Sequence, residues 1–142
     1  MTLSTEDVTV IRRSWARAAQ AGILAVDLFY GRLFEAAPEV RSLFASDMDG
    51  QKVKLIATLG FVVEHLDRPE EIGPAARALA VRHVGYGVRA EHYAPVGAAL
   101  IWALEQLLGS HFGSAEADAW TRAYQALSAD MIVAAYGEVT VE

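Results

Sequence analysis

The chain contains no cysteine. That excludes disulfides, iron–sulfur clusters, thiolate-ligated zinc or haem, and any cysteine-linked pigment. Basic residues are scarce, 12 against 18 acidic ones, and the net charge is −6. The longest run of cations is Arg12-Arg13. A nucleic-acid surface needs a basic stripe that displaces counterions, so no nucleic-acid partner is expected. No apolar run reaches the roughly 18 residues that span a bilayer. The longest candidate, residues 96–108, is interrupted by Glu105-Gln106. The start, Met1-Thr2-Leu3-Ser4-Thr5-Glu6-Asp7, lacks the basic opening and apolar core of a secretion signal. Strand-like alternation, internal repeats and low-complexity linkers are also missing. These absences lead to the expectation of a soluble, cytoplasmic protein with no stable membrane insertion.

What is present is helical periodicity over 142 residues, the size of one ordinary domain spanning residues 1–142. Ser4 and Asp7 form a capping box ahead of Val8, Ile11, Trp15 and Ala18. Gly22 breaks that helix. A second helix, with Val26, Phe29, Tyr30 and Leu33 inward, runs to about Ala36. Pro38 opens a short turn over residues 38–44, at a position where proline is tolerated. Residues 45–50 form a loop, and Gln51 begins a helix with Leu55, Leu59, Val62 and Leu66 as its stripe. Residues 67–71 punctuate the chain, and Gly73-Pro74 restarts a helix. Pro95 opens another, with Val96, Ala99, Leu100, Ala103, Leu104 and Leu107 inward, closed by Gly109. Ser114 caps the last, with Trp120, Ala123, Tyr124, Leu127 and Met131 inward. The fold class is all-α. The turn at Pro38 and the break at Gly73-Pro74 argue against four long parallel helices.

One stretch, residues 79–93, carries a chemical signal. Ala76, Leu79, Ala80 and His83 share a helical face, and Gly85 and Gly87 end the helix. A titratable side chain thus sits in a last turn on an apolar face. A lone histidine there is more often a satisfied core residue than a ligand. The other reading is metal ligation by a neutral imidazole, including axial ligation of haem.

Several segments together decide between these. They are Leu28-Phe29-Tyr30-Gly31-Arg32-Leu33-Phe34, Pro38-Glu39-Val40-Arg41-Ser42-Leu43-Phe44, residues 51–59, Arg82-His83-Val84-Gly85-Tyr86-Gly87-Val88, His92-Tyr93-Ala94-Pro95-Val96-Gly97, and Ala119-Trp120-Thr121-Arg122-Ala123-Tyr124. In this order the chain resembles the bacterial single-domain globins related to flavohaemoglobins. The resemblance implies a globin fold of six to eight helices around a haem b pocket. It implies His83 as the proximal iron ligand, and Phe44 as the phenylalanine packed on the haem. Tyr30 and Gln51 take the positions that face a bound gas. Leu55 and Leu79 line the pocket, Val88, Tyr93 and Val96 its proximal side, and Lys54 the haem edge, where it would pair with a propionate. His92 reaches a propionate only as a minor alternative; His65 and His111 read as surface or loop residues.

The physics of the gas-facing pair follows. Dioxygen in such a pocket takes on superoxide-like negative charge, which a tyrosine O–H and a glutamine N–H₂ can meet. A bond to a charged acceptor contributes about 1.5–3 kcal/mol, so two would slow gas escape by orders of magnitude. The expected function is high-affinity, reversible oxygen binding at a five-coordinate iron, for storage or scavenging. Nitric oxide dioxygenase activity and a haem-based gas sensor are the alternatives, with oxygen, nitric oxide or carbon monoxide as ligand. A haem-free interaction module is disfavoured by the presence of His83, Phe44, Tyr30 and Gln51.

Two departures from the flavohaemoglobin pattern matter. The last-helix glutamate that bonds the proximal histidine together with a tyrosine falls near Ala135, with Glu138 the nearest acid. Less charge on the imidazole means less donation to iron, which argues against a peroxidase-like proximal side. The second is that no flavin or nicotinamide motif follows the globin-like region, so turnover would need an external reductase. A monomer or weak homodimer is expected.

Overall fold

Ser4 begins the first helix as its position in the capping box requires. Its hydroxyl accepts the Asp7 N–H at 3.0 Å, and the Ser4 N–H donates to the Asp7 carboxylate at 3.4 Å. The computed structural model describes residues 3–136. Helix α1 is Thr5–Ala21, α2 Ile23–Ala36, α3 Asp49–Glu64, α4 Pro69–Gly85, α5 Tyr93–Leu108 and α6 Ser114–Tyr136. Short 3-10 turns at Pro38–Leu43, Ala90–His92 and Gly109–His111 complete the path. Among the described residues there is no strand. The all-α class follows the helical periodicity, and the helix order is the globin fold that the resemblance implies.

Gly22 and Gly109 end helices with φ of 56° and 52°, which only glycine adopts freely. Elsewhere the punctuation differs from the sequence reading. Gly73-Pro74 does not break α4, which runs through it from Pro69. Pro74 removes one intrahelical bond, to the carbonyl of Glu70, an exposed first-turn residue within reach of water. Gly85 is helical, and Gly87, with φ of 91°, alone supplies the left-handed turn. Helix α3 starts at Asp49 and α5 at Tyr93, each two residues before the predicted start. Ser114 is the first residue of α6; the end is satisfied by Glu116, whose carboxylate accepts the Gly113 N–H at 2.8 Å. On α1, Val10 and Ser14 join Ile11 and Ala18 in the core, and Trp15 and Val8 are half-buried. Ser14 tolerates burial because its hydroxyl donates to the Val10 carbonyl at 2.8 Å.

Helix α2 packs chiefly on α5, α4 on α6, and α1 on α6. The apolar contacts fall into three groups. Ile11, Ala18, Val63, Leu66, Leu104 and Trp120 hold α1, α5 and α6 together. Val26, Phe29, Tyr30, Leu33, Ala99 and Ala103 join α2 to α5. Ile72, Ala76, Ala80, Tyr93 and Met131 join α4 to α6 and the start of α5. Helix α3 stands apart, with Val63 its one fully buried residue. Its C-terminal carbonyls are held by Arg12 of α1, which donates to Val63 O at 3.3 Å and to Glu64 O at 2.8 Å. Although consecutive, α3 and α4 barely touch, so a gap separates the second core group from the third.

Two contacts fix α6. Arg122 donates twice to the Asp7 carboxylate, at 2.7 and 3.2 Å. The Tyr124 ring lies against α5 at Gly97, and its hydroxyl donates to the Tyr93 carbonyl at 2.5 Å. A Cβ at position 97 would meet that ring at 2.5 Å. Alanine normally gains about 1 kcal/mol over glycine inside a helix. At this site overpacking reverses the sign, so Gly97→Ala should lose about 1–3 kcal/mol, read as a lowered midpoint in thermal unfolding. The Arg122 guanidinium, opposed in part by burial, holds the Asp7 carboxyl below its ordinary value. A depressed carboxylate contributes stability above its unfolded value that is lost as pH falls through the folded one. Asp7→Asn should therefore lower the melting temperature at neutral pH. The gap to wild type should close progressively once pH drops below about 3.9, the ordinary aspartate value.

Candidate functional site

His83 sits in the last turn of α4, half-buried, with Nδ1 2.8 Å from the Leu79 carbonyl. A carbonyl only accepts, so Nδ1 carries the proton and Nε2 keeps its lone pair. Burial lowers the imidazole pKa; the Leu79 carbonyl partly offsets this and the Arg82 charge adds to it. The ring is therefore neutral at physiological pH. It lies 6.5 Å from the Tyr93 ring at 22° and 6.1 Å from Tyr86. Tyr93 is buried, and its hydroxyl is buried with no hydrogen-bond partner among the described residues. Burial, then the neighbouring Tyr136, raises that phenol. Val88 and Leu79, both half-buried, pack against the same core group as Tyr93. The Val88 carbonyl accepts from the Tyr136 hydroxyl, and its N–H donates to His83 O at 3.0 Å. Ala135 packs in this group with no carboxyl to offer; Glu138 lies outside the described residues.

The other wall is aromatic. Tyr30, 4% exposed, packs on Phe29 at 4.9 Å, Phe34 at 5.8 Å and Phe44 at 5.6 Å. Phe44, half-buried, meets Phe34 edge-on at 5.4 Å. Leu55 and Val96 pack half-buried against this cluster. Burial pushes the Tyr30 hydroxyl up, and the Gln51 side chain pulls it partly back. Gln51 is half-buried in the first turn of α3. Lys54 is exposed. His92 accepts the Arg89 N–H at 2.9 Å through Nδ1. His65 is half-buried at the end of α3, with Nδ1 2.8 Å from the Phe61 carbonyl, and His111 is exposed.

A cleft of about 280 Å³ lies between α3, α4 and α6 and reaches the His83 turn through Leu79 and Arg82. Phe61, Val62, Ile72, Ala76, Leu79 and Leu127 make it apolar, with Thr58 and Arg82 its polar members. A smaller apolar cavity of about 40 Å³ adjoins Phe29, Leu55 and Leu104. Among the described residues no group of three or more His, Asp or Glu could cage a metal. His83 offers one nitrogen only. The arrangement therefore fits a flat, largely apolar group that brings its own metal and other ligands, as haem does. Sequence reasoning named His83, Leu79 and Leu55 but missed Thr58, Phe61 and Arg82. Thr58 lies seven residues after Gln51 and three after Leu55, on the same helical face, and was legible; Arg82 breaks the apolar pattern and was not.

A family model described as Globin matches residues 27–131. The chain is 31% identical over 145 residues to the flavohemoprotein of Chromobacterium violaceum, covering 97% of this chain and 36% of that one. Identity to the flavohemoprotein of Bordetella parapertussis is 38% over 108 residues, 74% of this chain and 27% of that one. The chain thus spans about a third of the length of the curated relatives it matches. Among solved structures, a bacterial globin from Campylobacter jejuni superposes with a TM-score of 0.82 at 25% identity, over 93% of this chain and 96% of that one. An engineered carbene transferase from Rhodothermus marinus, a candidate nitric oxide dioxygenase, gives 0.84 at 28% identity over 94% of each chain. With six helices in the order of these structures and the Globin model matching residues 27–131, the chain belongs to the globin family.

Proposed function

We propose that residues 1–142 form one globin domain that holds haem b and binds oxygen tightly and reversibly. When bound, the haem supplies a redox-active iron that takes a diatomic gas. The observation that carries this reading is the state of His83. Its Nδ1 proton is committed to Leu79 O at 2.8 Å, which leaves the Nε2 lone pair to serve as the ligand, on the helix whose Leu79 and Arg82 line the apolar cleft. Phe44, Leu55, Leu79, Val88, Tyr93 and Val96 would contact the porphyrin, and Lys54 a propionate. Tyr30 and Gln51 would donate to the negative charge on the gas.

The partner of His83 favours holding oxygen over cleaving it. A backbone carbonyl is a neutral acceptor and gives the imidazole less anionic character than a carboxylate would. The second reading is nitric oxide dioxygenation, supported by similarity to flavohemoproteins and to the Rhodothermus marinus protein. It uses the same pocket, with electrons arriving from outside residues 1–142.

Oxygen dissociation followed by stopped flow tests the assignment of Tyr30. One hydrogen bond to a charged acceptor is worth about 1.5–3 kcal/mol, so Tyr30→Phe should speed dissociation at least about tenfold; an unchanged rate would sink the assignment. Supplying a reductase and nitric oxide separates the two readings. One turnover followed by accumulation of the oxidised protein is the expected result. Sustained consumption would shift the conclusion to the dioxygenase.

A further inference from the structure

Lys52 stands where a helix tolerates a cation least. It lies in the first turn of α3, at the positive end of the helix dipole. The N-cap residue, Met48, offers no side-chain bond, and Asp47 takes only the Asp49 N–H, at 3.0 Å. The charge is answered from another helix: Lys52 Nζ lies 2.8 Å from Asp27 Oδ1 on α2. Asp27 comes three residues before Tyr30, and Lys52 directly follows Gln51. The pair therefore bridges the two helical turns that carry the gas-facing side chains. A local rule broken in this way, with a long-range partner to offset it, marks a position set by more than helix stability.

The surroundings give the bridge something to do. Residues 45–47, which lead into α3, are exposed, as are Asp49 and Gly50. No residue of α3 is fully buried before Val63. Val63 is buried at the far end of α3, whereas Met48, Leu55 and Ile56 flank its first turn with half-buried packing on the α2 cluster, so that turn has only light apolar cover. Lys52 is the better-shielded member, its side chain 24% exposed against 48% for Asp27. Asp27, followed by Asp49 and Asp47, raises the Lys52 ammonium, so the charge is present throughout the physiological range.

We propose that the Asp27–Lys52 ion pair is a latch that holds the first turn of α3 on α2 and so sets Gln51 against Tyr30. This rests on the reading of Tyr30 and Gln51 as the pair that meets the gas. Asp27 and Lys52 are positioning residues, and neither touches the ligand. With the latch broken, Gln51 moves away from Tyr30, one of the two donors weakens, and the gas leaves sooner.

The test compares Asp27→Asn, Lys52→Gln, and the exchanged pair Asp27→Lys with Lys52→Asp. Asp27→Asn keeps side-chain length, Lys52→Gln stays polar but is one atom shorter, and both remove the charge–charge attraction; the third restores it with the charges reversed. Amide hydrogen exchange reads the latch whether or not the protein carries haem. The Lys52 N–H, bonded to Met48 O at 2.9 Å, is one of the reporters. Each single variant should speed exchange at Lys52 and Val53 by about two- to fivefold, the range an exposed ion pair carries, with α5 unmoved. Oxygen dissociation should accelerate by a similar factor, and the exchanged pair should restore both. Unchanged exchange in the single variants overturns the proposal, as does acceleration spread evenly to Glu64 or no rescue by the exchanged pair. Exchange that responds while oxygen dissociation does not also overturns it, by cutting the link to Gln51. A protein that forms no oxygen complex refutes the haem reading instead, and the exchange data alone then decide the latch.

Discussion

The hydrogen bond from His83 Nδ1 to the Leu79 carbonyl is the constraint on which the rest of the structure turns. A helical carbonyl has two lone pairs, and here the second is used by a side chain from the next turn. That one bond chooses the tautomer, fixes the ring and leaves Nε2 as a base with nothing yet to bind. It would achieve little if the ring could swing away. Tyr93 prevents that by stacking beside it, and Tyr93 is in turn fixed by the Tyr124 hydroxyl on its carbonyl. The Tyr124 ring reaches that far only because position 97 has no side chain. A glycine on α5 and a tyrosine on α6 thus determine where a histidine on α4 points.

The opposite wall is built on a different balance. Tyr30 is held by aromatic neighbours on α2 and by Phe44 beyond the 3-10 turn, a rigid apolar surround for one hydroxyl. Gln51 comes from α3, the helix with the least buried surface. A helix packed tightly against α4 would close the cleft that a flat group needs. The fold therefore packs α2 on α5 and α4 on α6 most extensively and holds α3 by lighter apolar packing of Leu55, Ile56 and Val63 together with polar contacts at its ends. Arg12 holds the C-terminal end and Lys52 the N-terminal end.

Local signals were legible in the sequence to the extent that local forces decide them. The Ser4–Asp7 box, the Gly22 break and the inward set Val26, Phe29, Tyr30 and Leu33 depend on near neighbours in the chain, and all are found in the structure. Gly73-Pro74 misled because proline early in a helix costs little when the freed carbonyl meets water. Ser114 misled because Glu116, two residues on, took over the cap. What joins α2 to α3 or α5 to α6 had no local trace. Nothing local marks Asp27, Lys52 or Gly97 for these roles; they emerge only when the helices are laid side by side. The three residues that matter most to the candidate site, Tyr30, Gln51 and His83, were legible through resemblance; periodicity alone singled out only His83.

The most direct test of the central claim, that His83 is the protein's sole ligand to a haem iron, is the visible absorption spectrum. It would be recorded as isolated, after reduction, and after reduction with carbon monoxide, for wild type and His83→Gly. The account predicts a Soret band that sharpens and shifts with carbon monoxide in the wild type and is lost or grossly altered in the variant. A band of unchanged position and intensity in His83→Gly, or no band in the wild type after reconstitution with haem, would contradict it.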